Sequence, residues 1–360
     1  MNNSKNIIII LIIFFILSIN SIYSFSKFLT DNQYDLVIRQ SIFYLIGTIC
    51  IIIMLKLNPK RLLNYSLYIY LINIILLILV LFLGTEINGT KAWFSIPLIG
   101  TIQPSEFMKI GLILFLAKII DNKKIITIKD EIKIIFKVLL ITIIPAIITF
   151  LEPDTGAVLI YFIIAFAMLF ISKLRYRYFI ILILSISILA SIILILYTKS
   201  QDLFISIFGS SMFYRLDRIF DWKSSSGMQL ENSILTIGSS GTLGNGINNI
   251  QLYFPEGHTD FIFTSISSIY GLIGMIILIL AIVIFDYDIL NIKTKNNSYK
   301  YIIIGFFAAL FYQQIQNIAM TIGILPITGI TLPFISYGGS SLISYMILLG
   351  IVLKIKKEPN

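Results

Sequence analysis

Residues 261–285 read FIFTSISSIYGLIGMIILILAIVIF, 25 residues without one charged side chain. A helix needs about 20 mainly apolar residues to cross the hydrocarbon core of a bilayer. Comparable runs lie near 6–24, 38–56, 64–84, 106–121, 135–151, 155–172, 177–198, 300–322 and 338–355. The pattern predicts an all-α integral membrane protein of ten transmembrane helices, a single polytopic domain over 1–360. One long segment, about 199–260, separates the seventh and eighth helices.

Composition agrees. The chain is 58% hydrophobic and only 12% charged, with a mean hydropathy of +0.95. An ordinary soluble domain carries roughly 25% charged residues. A soluble globular enzyme, a disordered chain and a disulfide scaffold are thereby excluded. The net charge of +9 raises the question of nucleic acid. Its basic residues sit between apolar runs, so membrane lipids explain them better. Cys50, the only cysteine, can form no internal disulfide.

Basic residues set the orientation. With the N-terminus cytoplasmic, inner segments hold 19 of the 27 Lys and Arg residues, and an even number of spans puts both termini inside. The 199–260 segment is then extracytoplasmic. Lys5 ahead of an apolar core also suits a signal peptide. The run is as long as a span and no small-x-small site follows it, so an uncleaved first helix is expected. Outer segments hold six of nine prolines and 12 of 18 acids. That points to a shaped site rather than a set of connectors.

The long outer segment has two parts. SQDLFISIFGSSMFYRLDRIFDW, 200–222, spaces its apolar residues like a helix lying in the interface. ENSILTIGSSGTLGNG, 231–246, is too polar and glycine-rich to span. It reads as re-entrant or loop backbone lining a cavity.

Four outer clusters carry candidate chemistry. In NGTKAWFSIPLIGTIQPSEFMK, 88–109, Glu106 and Lys109 share a helix face. They form either a polar lid over a lipid headgroup or a surface ion pair with Ser105 as the N-cap. Trp93 suits an interface anchor. In EPDTG, 152–156, two carboxylates can bind a metal, orient a sugar or cap the next helix. In PEGHTDFIF, 255–263, Glu256, His258 and Asp260 crowd a helix entrance. A single histidine with a single cysteine argues against a transition-metal site. A carboxylate general base is the simpler reading, with capping by Thr259 or Asp260 as its rival. GILPITGITLPFISYGGSS, 323–341, is uncharged and glycine-rich at a helix start. It can present backbone N–H groups to phosphate or simply allow close packing.

Together, in this order on this frame, these stretches resemble the SEDS family (shape, elongation, division and sporulation proteins of the RodA and FtsW types). The matching segments are NGTKAWF and QPSEFMK, EPDTGA, TIGSSGTLGNG, PEGHTDFIF and LPITGITLPFISYGGSS. The segment AWFSIPLIGTIQPSEF looks closer to the RodA type. The resemblance implies a peptidoglycan glycosyltransferase. It would polymerise lipid II onto a growing glycan strand outside the cytoplasmic membrane, beside a class B penicillin-binding protein as transpeptidase. The family's essential aspartate matches Asp260, its QPSE glutamate and following lysine match Glu106 and Lys109, and its turn acid matches Asp154. Three positions depart from the pattern. Ala92 stands where a basic residue usually precedes the tryptophan, Asn245 where a lysine is frequent, and Ser268 and Ile269 where an acidic pair is common.

On that reading Asp260 takes the proton of the acceptor sugar's hydroxyl. The leaving pyrophosphate needs positive charge from Lys91, Lys109, Arg215 or Arg218, or a divalent cation, Mg²⁺ or Mn²⁺, on oxygen ligands such as Asp154. Trp93, Glu106, Glu256, His258, Ser336 and Ser340 complete the candidate substrate contacts. Two other classes compete. A transporter of lipid-linked precursor predicts charges near span centres, where the expected spans hold none. A scaffold predicts indifference to loss of Asp260.

Overall fold

The computed structural model describes residues 2–30, 32–87, 90–96, 100–121, 127–172, 174–209, 213 and 227–358. Its long helices are α1 (Asn2–Ser26), α2 (Tyr34–Lys56), α4 (Ser66–Leu83), α5 (Pro104–Asp121), α6 (Ile128–Leu151), α7 (Thr155–Phe170), α8 (Tyr176–Lys199), α11 (Ile262–Leu290), α12 (Asn297–Thr321) and α13 (Gly339–Lys357). Shorter helices are α3 (Pro59–Asn64), α9 (Gln201–Phe208) and α10 (Gly227–Ser239). Among the described residues, seven helices are long and apolar enough to cross a membrane: α1, α2, α4, α6, α11, α12 and α13. The expected runs at 106–121, 155–172 and 177–198 are helical too.

Local chemistry starts several of these helices. Asn58 caps α3 through Lys60 N, with Pro59 at the first helical position. Thr127 and Asp130 form a reciprocal capping box on α6. Packing then turns the helices polar side inward. Exposed faces carry Ile, Leu and Phe, whereas α12 buries Gln313, Gln314, Gln316 and Asn317. Lipid tails give apolar faces no reason to turn inward, so polar side chains seek one another inside the bundle. α5 lies near the centre, touching α4, α6, α7, α12 and α13.

Three sequence expectations need correction. The chain is mostly helical rather than all-α: β1 (Thr85–Ile87), β2 (Thr90–Ile96) and β3 (Gly100–Ile102) form a small antiparallel sheet. β-Branched and aromatic residues in TKAWFSI favour a pleated surface over a helix. Second, much of ENSILTIGSSGTLGNG is helix α10, because its polar groups find partners. Ser233 Oγ lies 2.6 Å from Thr264 Oγ1 and donates to Thr321 O at 2.9 Å. Third, α11 continues past 285 and carries the buried acids Asp286 and Asp288. Gln314 Nε2 donates to Asp286 at 3.3 Å, so the last turns of this long helix hold acid within the bundle, away from its centre. The apolar run ends where the helix does not.

The expected interfacial helix begins as α9. The part at 210–212 and 214–222 lies outside the described residues.

α11 is broken at Gly271, where φ is 62° and ψ −155°. Segment 241–246 inserts there. Leu272 N donates to Gly241 O at 3.0 Å and Ile273 N to Thr242 O at 3.2 Å, while Asn245 N reaches Ser268 O at 2.8 Å and Gly246 N reaches Ile269 O at 3.1 Å. The break therefore leaves these backbone groups satisfied, as irregular backbone inside a membrane protein requires. Only glycine fits. A Cβ on Gly244 would stand 2.3 Å from Ile269 O, and one on Gly271 2.4 Å from Gly244 N.

Candidate active site

The 332–338 segment forms a floor beneath the start of α11, and helices α1 and α2 hold it. Ser18 Oγ donates to Ile335 O at 2.6 Å, Gln40 Nε2 to Ser336 O at 3.2 Å, and the Tyr44 hydroxyl to Phe334 O. Gly338 N returns a bond to Gln40 Oε1 at 3.3 Å. Buried loop backbone needs such partners, and here side chains of neighbouring helices supply them.

This floor grips the segment carrying Asp260. Ser336 Oγ donates to Thr259 O at 2.6 Å, and Tyr337 N donates to His258 O at 2.9 Å. Asn317 Nδ2 bridges Asp260 O and Ile330 O, both at 2.8 Å. From the other side Ser265 Oγ holds Gly257 O at 2.6 Å. The 257–260 main chain is thus fixed by α11, α12 and the floor together. Its carboxylate lies against Gly329, and no described side chain donates to it. Burial lifts this carboxyl from its ordinary 3.8 to about 7, and nearby Glu256 pushes the same way. Such a group exchanges protons near neutral pH.

Glu256 accepts from Thr259 Oγ1 at 2.6 Å and sits at a positive φ of 56°. Neither Thr259 nor Asp260 caps α11. The helix begins at Ile262 after Phe261, without a side-chain cap. His258 is a packing residue. Its ring stacks on Phe25 at 5.8 Å and meets Tyr337 at 5.5 Å, while Nδ1 is buried without a partner. Burial depresses its pKa, and the Glu256 carboxylate opposes that shift.

A second polar layer lies behind Gly329, where the start of α7 meets Thr328 and Ile330 at Gly156. Lys109 and Glu106 form a 2.6 Å ion pair, with Lys109 only 1% exposed. The Lys109 ammonium stands 4.3 Å from the Tyr345 ring, and Ser344 Oγ donates to Glu106 at 3.3 Å. The pair is neither a surface pair nor a lid, because the crossing of α5 and α13 encloses it. Ser105 is no N-cap either: its hydroxyl donates to Asp154 at 3.1 Å. Asp154 also accepts from Gln103 Nε2 at 2.8 Å and caps α7 through Ala157 N at 3.0 Å. Burial raises its pKa. Glu152 beside it is fully buried with both oxygens unpartnered, and burial plus the Asp154 charge lift it to about 8.

Asp154 accepts three hydrogen bonds from protein donors, two on Oδ2 and one on Oδ1. Among the described residues no group of three or more His, Cys, Asp or Glu could hold an ion. The hydroxyls of Ser336 and Ser340 are likewise engaged within the protein. Ser340 accepts from Gln103 N at 2.9 Å and donates to Thr101 O at 3.4 Å, tethering β3 to α13.

Lys91 lies on β2, donates to Phe82 O at 3.1 Å and remains exposed. Trp93 is half-buried in the sheet, opposite Thr85. Ala92 between them is fully buried, which explains why an uncharged residue suits that position. Arg215 and Arg218 lie outside the described residues. Sequence reading missed Gln40 and Asn317, whose amides hold backbone carbonyls of distant segments. It also passed over Arg39 as a site residue; its exposed guanidinium lies near Tyr337, whose ring meets His258. Nothing local distinguishes any of the three.

Comparison with known proteins places this frame. A Haemophilus influenzae protein named as a probable peptidoglycan glycosyltransferase FtsW is 31% identical, over 98% of this chain and 88% of its own. A Coxiella burnetii protein of the same name is 32% identical, over 93% of this chain and 91% of its own. A chain solved in a peptidoglycan synthase complex, in work on the structural coordination of polymerization and crosslinking, superposes with a TM-score of 0.79 at 25% identity, covering 99% of this chain and 96% of that one. The Thermus thermophilus rod shape determining protein RodA shares the fold, with a TM-score of 0.70 at 24% identity over 98% of this chain and 95% of that one. The FtsW/RodA/SpoVE profile, described as cell cycle protein, matches residues 4–360, so this multi-pass membrane protein belongs to that family.

Proposed function

We propose that this protein is a peptidoglycan glycosyltransferase that polymerises lipid II into glycan strands at the outer face of the cell membrane. One observation carries the reading. Asp260 ends a main-chain segment, 257–260, held from three sides, and its carboxylate is engaged by no described side chain. The relatives named for this activity align over nearly the whole chain. They bear the FtsW name while the fold neighbours include RodA, so the proposal stops at the chemistry both types share, in elongation or division.

In this proposal ten helices cross the membrane with both termini cytoplasmic, which puts Asp260 outside. Ionised Asp260 accepts the proton of the acceptor hydroxyl as that oxygen attacks the donor sugar. This contribution is worth roughly 10²- to 10⁴-fold. Positive charge for the departing pyrophosphate comes from exposed cations on that face, Arg39 and Lys91, with Arg215 and Arg218 as further candidates. Lys109 serves at one remove by neutralising Glu106 and keeping α5 and α13 in register. No step is routed through a divalent cation. A class B penicillin-binding protein is the proposed partner, in keeping with the fold neighbour solved in a peptidoglycan synthase complex.

The test is polymerisation of labelled lipid II by the purified chain, with and without its cognate transpeptidase. Strand synthesis that Asp260→Asn abolishes supports the reading. Synthesis by Asp260→Asn at the parent rate would remove it. The buried Asp286–Gln314 contact favours a transport reading as the second choice, since acids within spans often mark translocation paths. Asp286→Asn should leave polymerisation unchanged if the first reading holds.

A further inference from the structure

A groove of about 620 Å³ runs between α1, α2 and α13. Leu11, Phe15, Ile52 and Leu353 supply much of its apolar wall. On α2 it extends from Ser41 to Leu55, a reach of about 21 Å at roughly 1.5 Å per residue. The few hydroxyls along it are already engaged. Ser41 donates to Val37 O at 2.8 Å, Thr48 to Tyr44 O at 2.8 Å, and Tyr44 to Phe334 O. Apart from Lys357 at one end, the wall therefore offers no donor to a polar ligand, and an extended hydrocarbon chain suits its length.

The two ends differ. Lys357 lines one end, in a last helical turn that also carries Lys354 and Lys356. α2 finishes nearby with Lys56. Ser41 and Tyr44 line the other end, and no basic side chain does. We propose that this groove binds one acyl chain of an anionic phospholipid, with its headgroup phosphate at Lys357, entering from the lysine-rich face of the membrane. At the Asp260 end no basic side chain lines the groove itself; Arg39, two residues before Ser41, lies outside its lining, so a polyprenyl pyrophosphate entering from that side is the competing occupant. The occupant also reaches Tyr44, whose hydroxyl holds the floor segment that grips Thr259. Filling the groove thus firms the support of Asp260.

Native mass spectrometry on the delipidated full-length protein tests this, by titration with phosphatidylglycerol or phosphatidylcholine of matched chains. One basic residue near a membrane surface is worth about fivefold in affinity for anionic lipid. Phosphatidylglycerol should bind in preference. Lys357→Gln should weaken it about fivefold and leave phosphatidylcholine unchanged. Leu11→Trp should remove the bound lipid, and Ile52→Trp, on an exposed face, provides a second filler if the first fails to fold. Saturating phosphatidylglycerol should slow amide exchange at 332–338 in the parent but not in Tyr44→Phe. Equal binding of the two lipids, indifference to Lys357→Gln, or displacement by undecaprenyl pyrophosphate would each overturn the proposal. The readout is bound lipid rather than glycan, so this inference fails or stands apart from the proposed activity.

Discussion

Asp260 illustrates how a carboxylate is prepared for proton transfer without a charged partner. Its neighbours restrain the backbone, and its burial beside Glu256 sets the proton affinity. A base must be ionised to act. If Asp260 is that base, kcat/KM for strand synthesis should rise with pH, level off above about 7, and keep no such limb in Asp260→Asn. His258 gives the contrasting case. Its ring is stacked rather than aimed at an open site. His258→Phe keeps the stack and should hold polymerisation within a few-fold of the parent. Asn317 acts through the main chain. Asn317→Ala leaves two buried carbonyls without a donor, at a cost of roughly 1–3 kcal/mol each. It should lower kcat more than it alters KM, because the carboxylate loses its fixed position while exposed binding groups remain.

At the scale of elements, α11 depends on a partner segment to be broken where it is. The 241–246 segment completes the hydrogen bonds that Gly271 leaves open. Gly244→Ala would meet Ile269 O and must hold a φ of 77°. Such a backbone alone costs about 1–3 kcal/mol before the clash. A clear fall in melting temperature is expected, together with loss of protection in both 240–246 and 268–273 by hydrogen exchange. The α5–α13 crossing makes a similar point with charge. Removing one member of a buried ion pair is destabilising by roughly 3–5 kcal/mol, whereas removing both costs much less. Lys109→Met should therefore destabilise strongly, and the double variant with Glu106→Gln should recover much of the loss in a thermal melt.

For the molecule as a whole, pH acts through buried acids. Asp260 is lifted to about 7 and Glu152 to about 8, both above their ordinary values of 3.8 and 4.5. The folded state then binds these protons more tightly than the unfolded chain. Stability from them is complete below about pH 4 and is lost as pH rises toward 7 and 8. The melting temperature in detergent should accordingly fall between about pH 5 and 9. Glu152→Gln should flatten the upper part of that decline, and an unchanged slope would show that Glu152 does not carry it.

The sequence alone determined the membrane character, the positions of the long helices and the outer clusters that hold the candidate site. Those features are local: an apolar run or a proline-rich turn needs no distant partner to be read. Its errors share one cause. Hydropathy ends a helix at the first acid, so Asp286 went unseen; polarity reads as loop, so α10 was missed; and residue type suggests exposure, so the burial of the Glu106–Lys109 pair was not foreseen. Tertiary structure decided those cases, because a polar group within the bundle takes its role from the partner it meets. The same holds for Gln40 and Asn317, whose importance rests on carbonyls hundreds or tens of residues away, which no spacing along the chain could announce.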